Sequence, residues 1–213
     1  MKKTRKILLM AACAVLLVCI SVGATVAYLT STDSVTNTFT VGKVAIKLDE
    51  APVDTNGKAT TGARVKANNY KLLPGHTYNK DPMVTVLSGS EPAYIKMTVT
   101  FSKANELDAI FASVGGANLT GIFNGYDSAN WIAKGNTKDA DASTRTYEFW
   151  YKEAVGAPNG DVALDALFDS ITVPGTITNA QLDTIAGMTI TVNAYAIQAD
   201  GFADAATAWA AYK

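Results

Sequence analysis

AYIKMTVTF, residues 93–101, decides the fold. Ala93, Ile95, Met97, Val99 and Phe101 share one parity, and Tyr94, Lys96, Thr98 and Thr100 share the other. A strict period of two over nine residues marks a strand with one buried face. The pattern recurs twice. In residues 146–152, Tyr147, Phe149 and Tyr151 oppose Glu148, Trp150 and Lys152. In the final run Met188, Ile190, Val192, Ala194 and Ala196 alternate with Thr189, Thr191, Asn193 and Tyr195. Strands of this kind need a second layer to cover their apolar faces.

Working outward, residues 81–88 carry Met83, Val84, Val86 and Leu87 and predict a strand launched by the turn Leu72-Leu73-Pro74-Gly75. The connection Ser88-Gly-Ser-Glu-Pro92 predicts a hairpin into the 93–101 strand. Residues 49–69 are polar and contain Pro52 and the turn dipeptide Asn56-Gly57, which predicts a loop or an exposed hairpin. Before them, Phe39 and Val41 lie on one parity and Val44, Ile46 and Leu48 on the other, with Gly42-Lys43 between, which predicts one bulged strand over 38–48. Helical spacing occurs at Leu107, Ile110, Phe111 and Val114, again at Leu164, Leu167, Phe168 and Ile171, and an alanine-rich helix with Trp209 is expected over 203–212. Residues 115–144 read as a Gly, Asn, Asp and Ser-rich loop with apolar islands at Ile122-Phe123 and Trp131-Ile132. Six to eight strands with two or three short helices give a mainly β fold class, a jelly-roll or Ig-like antiparallel β-sandwich.

The amino terminus is different. Lys2, Lys3, Arg5 and Lys6 precede an apolar run over residues 7–22, the pattern of a secretory signal. Thr25 and Ala27 are small residues at the third and first positions before Tyr28, which places cleavage between Ala27 and Tyr28. The competing reading is a retained transmembrane helix, since residues 7–27 carry no charge over a length that spans a bilayer. Met10-Ala11-Ala12-Cys13 has a lipobox look, but the apolar core before it is too short for a lipoprotein signal. The expected organisation is a signal over 1–27, an amino-terminal segment with the first strand over 28–48, and a single β-sandwich domain over 49–213. No sorting motif follows Trp209, so covalent attachment to a wall is not expected.

Both cysteines, Cys13 and Cys19, lie in the signal, leaving no thiol and no disulfide in the processed chain. Removing the four cations of the signal from 18 leaves 14 Lys and Arg against 19 Asp and Glu, a net charge of −5. That balance argues against nucleic acid or an anionic membrane as partner, the only membrane contact expected being through the uncleaved signal. The catalytic inventory is thin. His76 is the single histidine and follows a Pro-Gly turn, and there is neither a Gly-x-Ser-x-Gly elbow nor a His-Glu-x-x-His pair, so no enzyme activity, metal or cofactor is expected. Asp139-Ala-Asp141 and Asn159-Gly-Asp161 lack the full spacing of a calcium loop and read as solvated acids. Tyr147, Phe149, Trp150 and Tyr151 read as core aromatics before a sugar platform.

Several of these stretches together resemble a known family. The signal ending Gly23-Ala-Thr-Val-Ala27, the run Tyr28-Leu-Thr-Ser-Thr-Asp33 and Asn37-Thr-Phe-Thr-Val-Gly42 resemble the amino terminus of the TasA and camelysin matrix proteins of Gram-positive spore-formers, which a SipW-type signal peptidase processes. Leu73-Pro-Gly75 before a strand pair, and the closing run from Ile190 to Phe202 with Ala208-Trp209, fit less closely, and the middle of the chain does not fit. The resemblance implies a secreted, extracellular sandwich that polymerises with itself and with related matrix proteins into biofilm fibres. It further implies that a freed amino-terminal segment, with Tyr28, Leu29, Val35, Phe39 and Val41 as its apolar residues, adds as a strand to the next subunit. Ten residues, 28–37, extend on the order of 33 Å. Camelysin-like proteins have carried a metallopeptidase label, and this sequence lacks the ligands it needs. Without the resemblance, residues 28–37 read as a polar disordered tail, and the alternative function is a monomeric surface-binding module that holds a glycan or host ligand near Trp131 or Trp150.

Overall fold

In a computed structural model of the chain, which describes residues 2–28, 37, 41–113 and 123–212, the strands are β1 (Ile46–Asp49), β2 (Thr77–Asn79), β3 (Met83–Val86), β4 (Ser90–Ser102), β5 (Phe123–Asn124), β6 (Trp131–Asp139), β7 (Thr144–Tyr151), β8 (Val155–Ala157), β9 (Val162–Ala163), β10 (Ser170–Thr172) and β11 (Ile190–Gln198). The helices are α1 (Lys2–Tyr28), α2 (Ala104–Ser113), α3 (Asn179–Thr184) and α4 (Ala205–Ala211). The fold is mainly β, every paired strand is antiparallel, and the helices after α1 are short.

The alternating run at 93–101 is the centre of the largest sheet, whose order is β11-β4-β7-β6, with β8 beside the start of β4. Ala93, Ile95, Met97, Val99 and Phe101 are wholly buried, as the period of two requires. Two three-stranded sheets, β1-β3-β9 and β2-β10-β5, complete the β structure. Their inward residues Val84, Val86, Tyr78 and Ile171 join those of β4 and β7 in one core, consistent with a sandwich. Phe123 stacks on Phe168 at 4.4 Å between ring centroids and lies 5.7 Å from Phe101, so aromatic contacts cross between the layers. Each fully buried aliphatic or aromatic side chain contributes about 1.5–3 kcal/mol.

The chain divides into two compact units, Met1–Val41 and Gly42–Lys213. α1 belongs to the first, and within it Ile7, Leu8, Leu9, Met10, Val15 and Leu16 are exposed. Among the described residues no helix is long and apolar enough to cross a membrane. The second unit holds all the described strands.

Four sequence expectations are corrected. The expected hairpin between 81–88 and 93–101 does not form: β3 pairs with β1 and β9, whereas both sides of β4 are taken by β11 and by β7 and β8. The chain instead passes from one sheet to another through a turn in which Ser90 N donates to Leu87 O and Gly89 adopts φ +79°. The expected helix over 162–171 is not helical. Leu164, Leu167 and Phe168 are buried, but Leu164 N, Leu167 N and Asp169 N donate to the carbonyls of Val84, Pro82 and Asn124, so the backbone is spent on other segments. The expected loop over 115–144 contains β6, a nine-residue strand exposed at every position but Trp131, whose polar edge-strand sequence hides its periodicity. The expected 38–48 strand is confined, among described residues, to β1 and a single parallel bridge from Lys43 to Ser90. Ala45 N donates to Ser90 Oγ and Glu91 N to Lys43 O, which draws residues 43–45 to the start of β4 before β1 begins beside β3.

The expected helix over 106–114 appears as α2, with Leu107, Ile110 and Phe111 buried, and Val114 lies outside the described residues. The closing helix appears as α4, whose N-cap Asp204 accepts from Thr207 N. The Asn56-Gly57 dipeptide turns the excursion over 51–66, with Gly57 N donating to Asp54 O.

Candidate functional site

The described part of the second unit leaves a groove open beside the last strand. β11 pairs with β4 and with no other described strand. Ser102 N donates to Thr189 O and Ala199 N to Pro92 O, so the odd-numbered residues of β11 turn their backbone groups toward β4. Ile190, Val192, Ala194 and Ala196 therefore direct theirs to the open edge while their side chains face the core. Those four side chains are only half-buried, whereas their neighbours across the register on β4, from Phe101 to Ile95, are fully buried. Among the described residues, the layer facing β11 covers these side chains only in part.

The groove has a volume of about 910 Å³. Its apolar floor is formed by Leu48, Leu72, Ile171, Met188, Ile190 and Val192, with Leu182 and Ile185 from α3 and the turn after it. The sequence accounts for α3 only locally: Thr178 and Gln181 form a capping box, Gln181 N donating to the Thr178 hydroxyl and Thr178 N to Gln181 Oε1. That Thr-x-x-Gln spacing is the signal by which α3 could have been found.

The facing wall is polar and held by ion pairs. Arg64 donates from Nε to Asp49 Oδ1 at 2.5 Å, from Nη1 to Asp81 Oδ2 at 2.8 Å, and from Nη2 to the carbonyls of both residues. Lys47 lies 2.7 Å from the second Asp49 oxygen. Burial pushes the Asp49 carboxyl up, but the hydrogen bonds and charges of Lys47 and Arg64 outweigh it and hold the group below the ordinary carboxylate value. Lys80 donates to Glu50 Oε1, both side chains being nearly enclosed, and Asn68 donates to the other Glu50 oxygen. Burial, reinforced by the charge of Glu50, pushes the Tyr70 hydroxyl well up. Lys66 is exposed and donates from Nζ to the carbonyl of Leu48 at 2.5 Å. An open strand edge, an apolar floor and a wall of fixed charges are the features on which β-strand addition of an extended peptide draws.

The opposite edge of the same sheet is built differently. β6 carries a register shift between Ala133 and Gly135 and presents Lys134 and Lys138 outward, features that discourage further strand addition.

The other residues singled out from sequence take these positions. Ala27 and Tyr28 fall at the end of α1. Leu29, Val35 and Phe39 lie outside the described residues, and Val41 is 98% exposed. His76 is exposed beside Tyr78. Trp131 is buried, with Nε1 donating to Asp165 O, so it offers no free ring face to a ligand. Tyr147 and Phe149 are core residues, while Trp150 is half-buried on the outer face, with Lys134 Nζ 4.2 Å from its ring and Nε1 donating to Glu148. Asp139 accepts from Ala142 N, and Asp161 accepts from Ser88 N. Among the described residues no group of three or more His, Cys, Asp or Glu side chains is placed to hold a metal ion. Compared with protein-family models, with curated proteins and with solved structures, the chain matches none of them.

Proposed function

We propose that the chain is a secreted structural subunit of extracellular matrix fibres, which assembles when its amino-terminal segment, freed by signal cleavage at Ala27-Tyr28, adds as a strand to the open edge of a second copy. The observation that carries this reading is the half-exposed inner face of β11 beside a groove of about 910 Å³. A strand laid along β11 would pair with the outward backbone groups of Ile190 and Val192 and shield their side chains from water.

Sequence supplies a fitting occupant. In residues 28–41 the even positions are Tyr28, Thr30, Thr32, Ser34, Thr36, Thr38 and Thr40, all hydroxyl-bearing, while Leu29, Val35, Phe39 and Val41 lie on the odd parity. The odd face carries the aliphatic and phenyl side chains for the floor together with Ser31, Asp33 and Asn37, and the even face, Tyr28 included, is hydroxyl-bearing and suited to solvent. A signal still attached would keep the segment from threading into a neighbour, so cleavage would act as the switch.

The test is intact mass with size-exclusion light scattering on protein recovered from the producing cells' medium, repeated after deletion of residues 28–37. Growing particles of a chain beginning at Tyr28, lost on deletion while the monomer stays folded, are expected. Filaments unchanged by the deletion would sink the donor strand, and a monomer stable at high concentration would favour a surface-binding module.

A further inference from the structure

We infer that Lys66 recognises Asp33 of a second copy of this chain and thereby fixes the register in which the amino-terminal segment lies in the groove. The inference rests on the donor-strand reading above and adds the residue pair that aligns the two copies.

Among the described residues lining the groove, the cations are Lys66 and Lys80. Lys80 is enclosed and committed to Glu50. Lys66 is exposed, and its ammonium donates to a neutral acceptor, the carbonyl of Leu48. An ammonium has three donors, so that bond leaves capacity and full charge for an incoming carboxylate. The acids of the same wall are already engaged, Asp49 by Arg64 and Lys47 and Glu50 by Lys80. On the opposite wall α3 presents Asp183, which repels an acid and steers it to Lys66.

The occupant carries the complementary charge once. Residues 28–41, YLTSTDSVTNTFTV, contain a single ionisable carboxyl, Asp33, and no Lys or Arg. Asp33 shares its parity with Val35, Phe39 and Val41. Anchored at Lys66, it sets Val35 about 7 Å and Phe39 about 20 Å farther along the strand. A slip of one residue would turn the threonine face onto Met188, Ile190 and Val192, and the repetitive Thr and Ser pattern resists such a slip weakly. An exposed ion pair adds little affinity, but a like-charge mismatch discriminates, so the pair acts on register and rate more than on strength.

The test is a charge-reversal cycle read as the seeded elongation rate of protein recovered from the medium. Asp33→Lys and Lys66→Asp should each slow elongation by about tenfold, and the double variant should return to within about threefold of the parent. Lys66→Gln brings no new repulsion to Asp49 and Glu50. It should slow growth by about threefold and make elongation indifferent to Asp33→Asn. Additive losses in both cycles, or single variants that elongate at the parental rate, overturn the pairing while the donor strand stands, provided deletion of residues 28–37 still stops growth. Filaments that survive that deletion remove the donor strand and this pairing with it.

Discussion

Gly57 lies against Tyr78 so closely that a Cβ at position 57 would stand 2.5 Å from the Tyr78 ring carbon Cδ1 and 2.6 Å from its Cα. Gly57 also adopts φ +75°, and Tyr78 is wholly buried, its hydroxyl accepting from Leu73 N and donating to Lys71 O. Because the backbone of β2 cannot yield as a flexible side chain could, Gly57→Ala should destabilise the domain by about 2–4 kcal/mol in urea unfolding. Gly201→Ala, at φ +87° with open space around it, should cost only about 1–2 kcal/mol. Equal losses at the two positions would show that the contact with Tyr78 contributes nothing.

Lys80 and Glu50 form an ion pair in which both side chains are nearly enclosed. Removing one partner strands the other charge, so Glu50→Gln and Lys80→Met should each lose about 3–5 kcal/mol, and the Lys80→Met, Glu50→Gln double variant should lose less than the sum of its single variants. Chemical denaturation of the four proteins of that cycle checks it.

Acid stability follows from carboxylates held by cations, Asp49 on the groove wall and Asp108 on α2. Besides Asp49, the Asp108 carboxyl is pushed up by burial but lowered further by hydrogen bonds and charge from Lys138 and Arg145, leaving it below the ordinary value. A carboxyl depressed in the folded state is protonated first in the unfolded chain, so its contribution is complete above the ordinary carboxylate pKa, about pH 4. It is lost as the pH falls through the lower folded value. Melting temperature should therefore change little from these groups between about pH 7 and 5 and drop steeply below about pH 4. Asp49→Asn should lower the plateau and flatten the acid limb. An acid limb of unchanged slope in that variant would assign acid unfolding to other groups.

What the sequence disclosed and what it hid divide along a physical line. β4 and β7 were legible because each buries one face, so side-chain chemistry alternates with the pleat. α2 and α4 were legible because their apolar residues recur at helical spacing. Residues 162–171 mimic that spacing with Leu164, Leu167, Phe168 and Ile171, yet their N–H groups serve Val84, Pro82 and Asn124, and no local pattern records a distant acceptor. Turn residues at 88–92 mark a reversal without saying whether the next strand lies alongside or in another sheet. The groove was illegible for the same reason: residues 48–50, 66–73 and 182–192 meet only through the topology.

Val192 and Val99 face each other across the β11–β4 register and point to the same side, but Val99 is fully buried and Val192 half-exposed at the groove. The two positions separate folding from assembly. Lysine at 99 would have no route to water, so Val99→Lys should leave no cooperative unfolding transition. Lysine at 192 can extend its stem over the floor and keep its ammonium in the open groove, so Val192→Lys should cost no more than about 1 kcal/mol. The same charge would then stand where an incoming strand must lay an apolar side chain, and seeded elongation should stop in a protein whose melt is nearly that of the parent. Elongation at the parental rate would move the assembly surface away from β11. A Val192→Lys protein that fails to fold would show that this face is already sealed within one subunit.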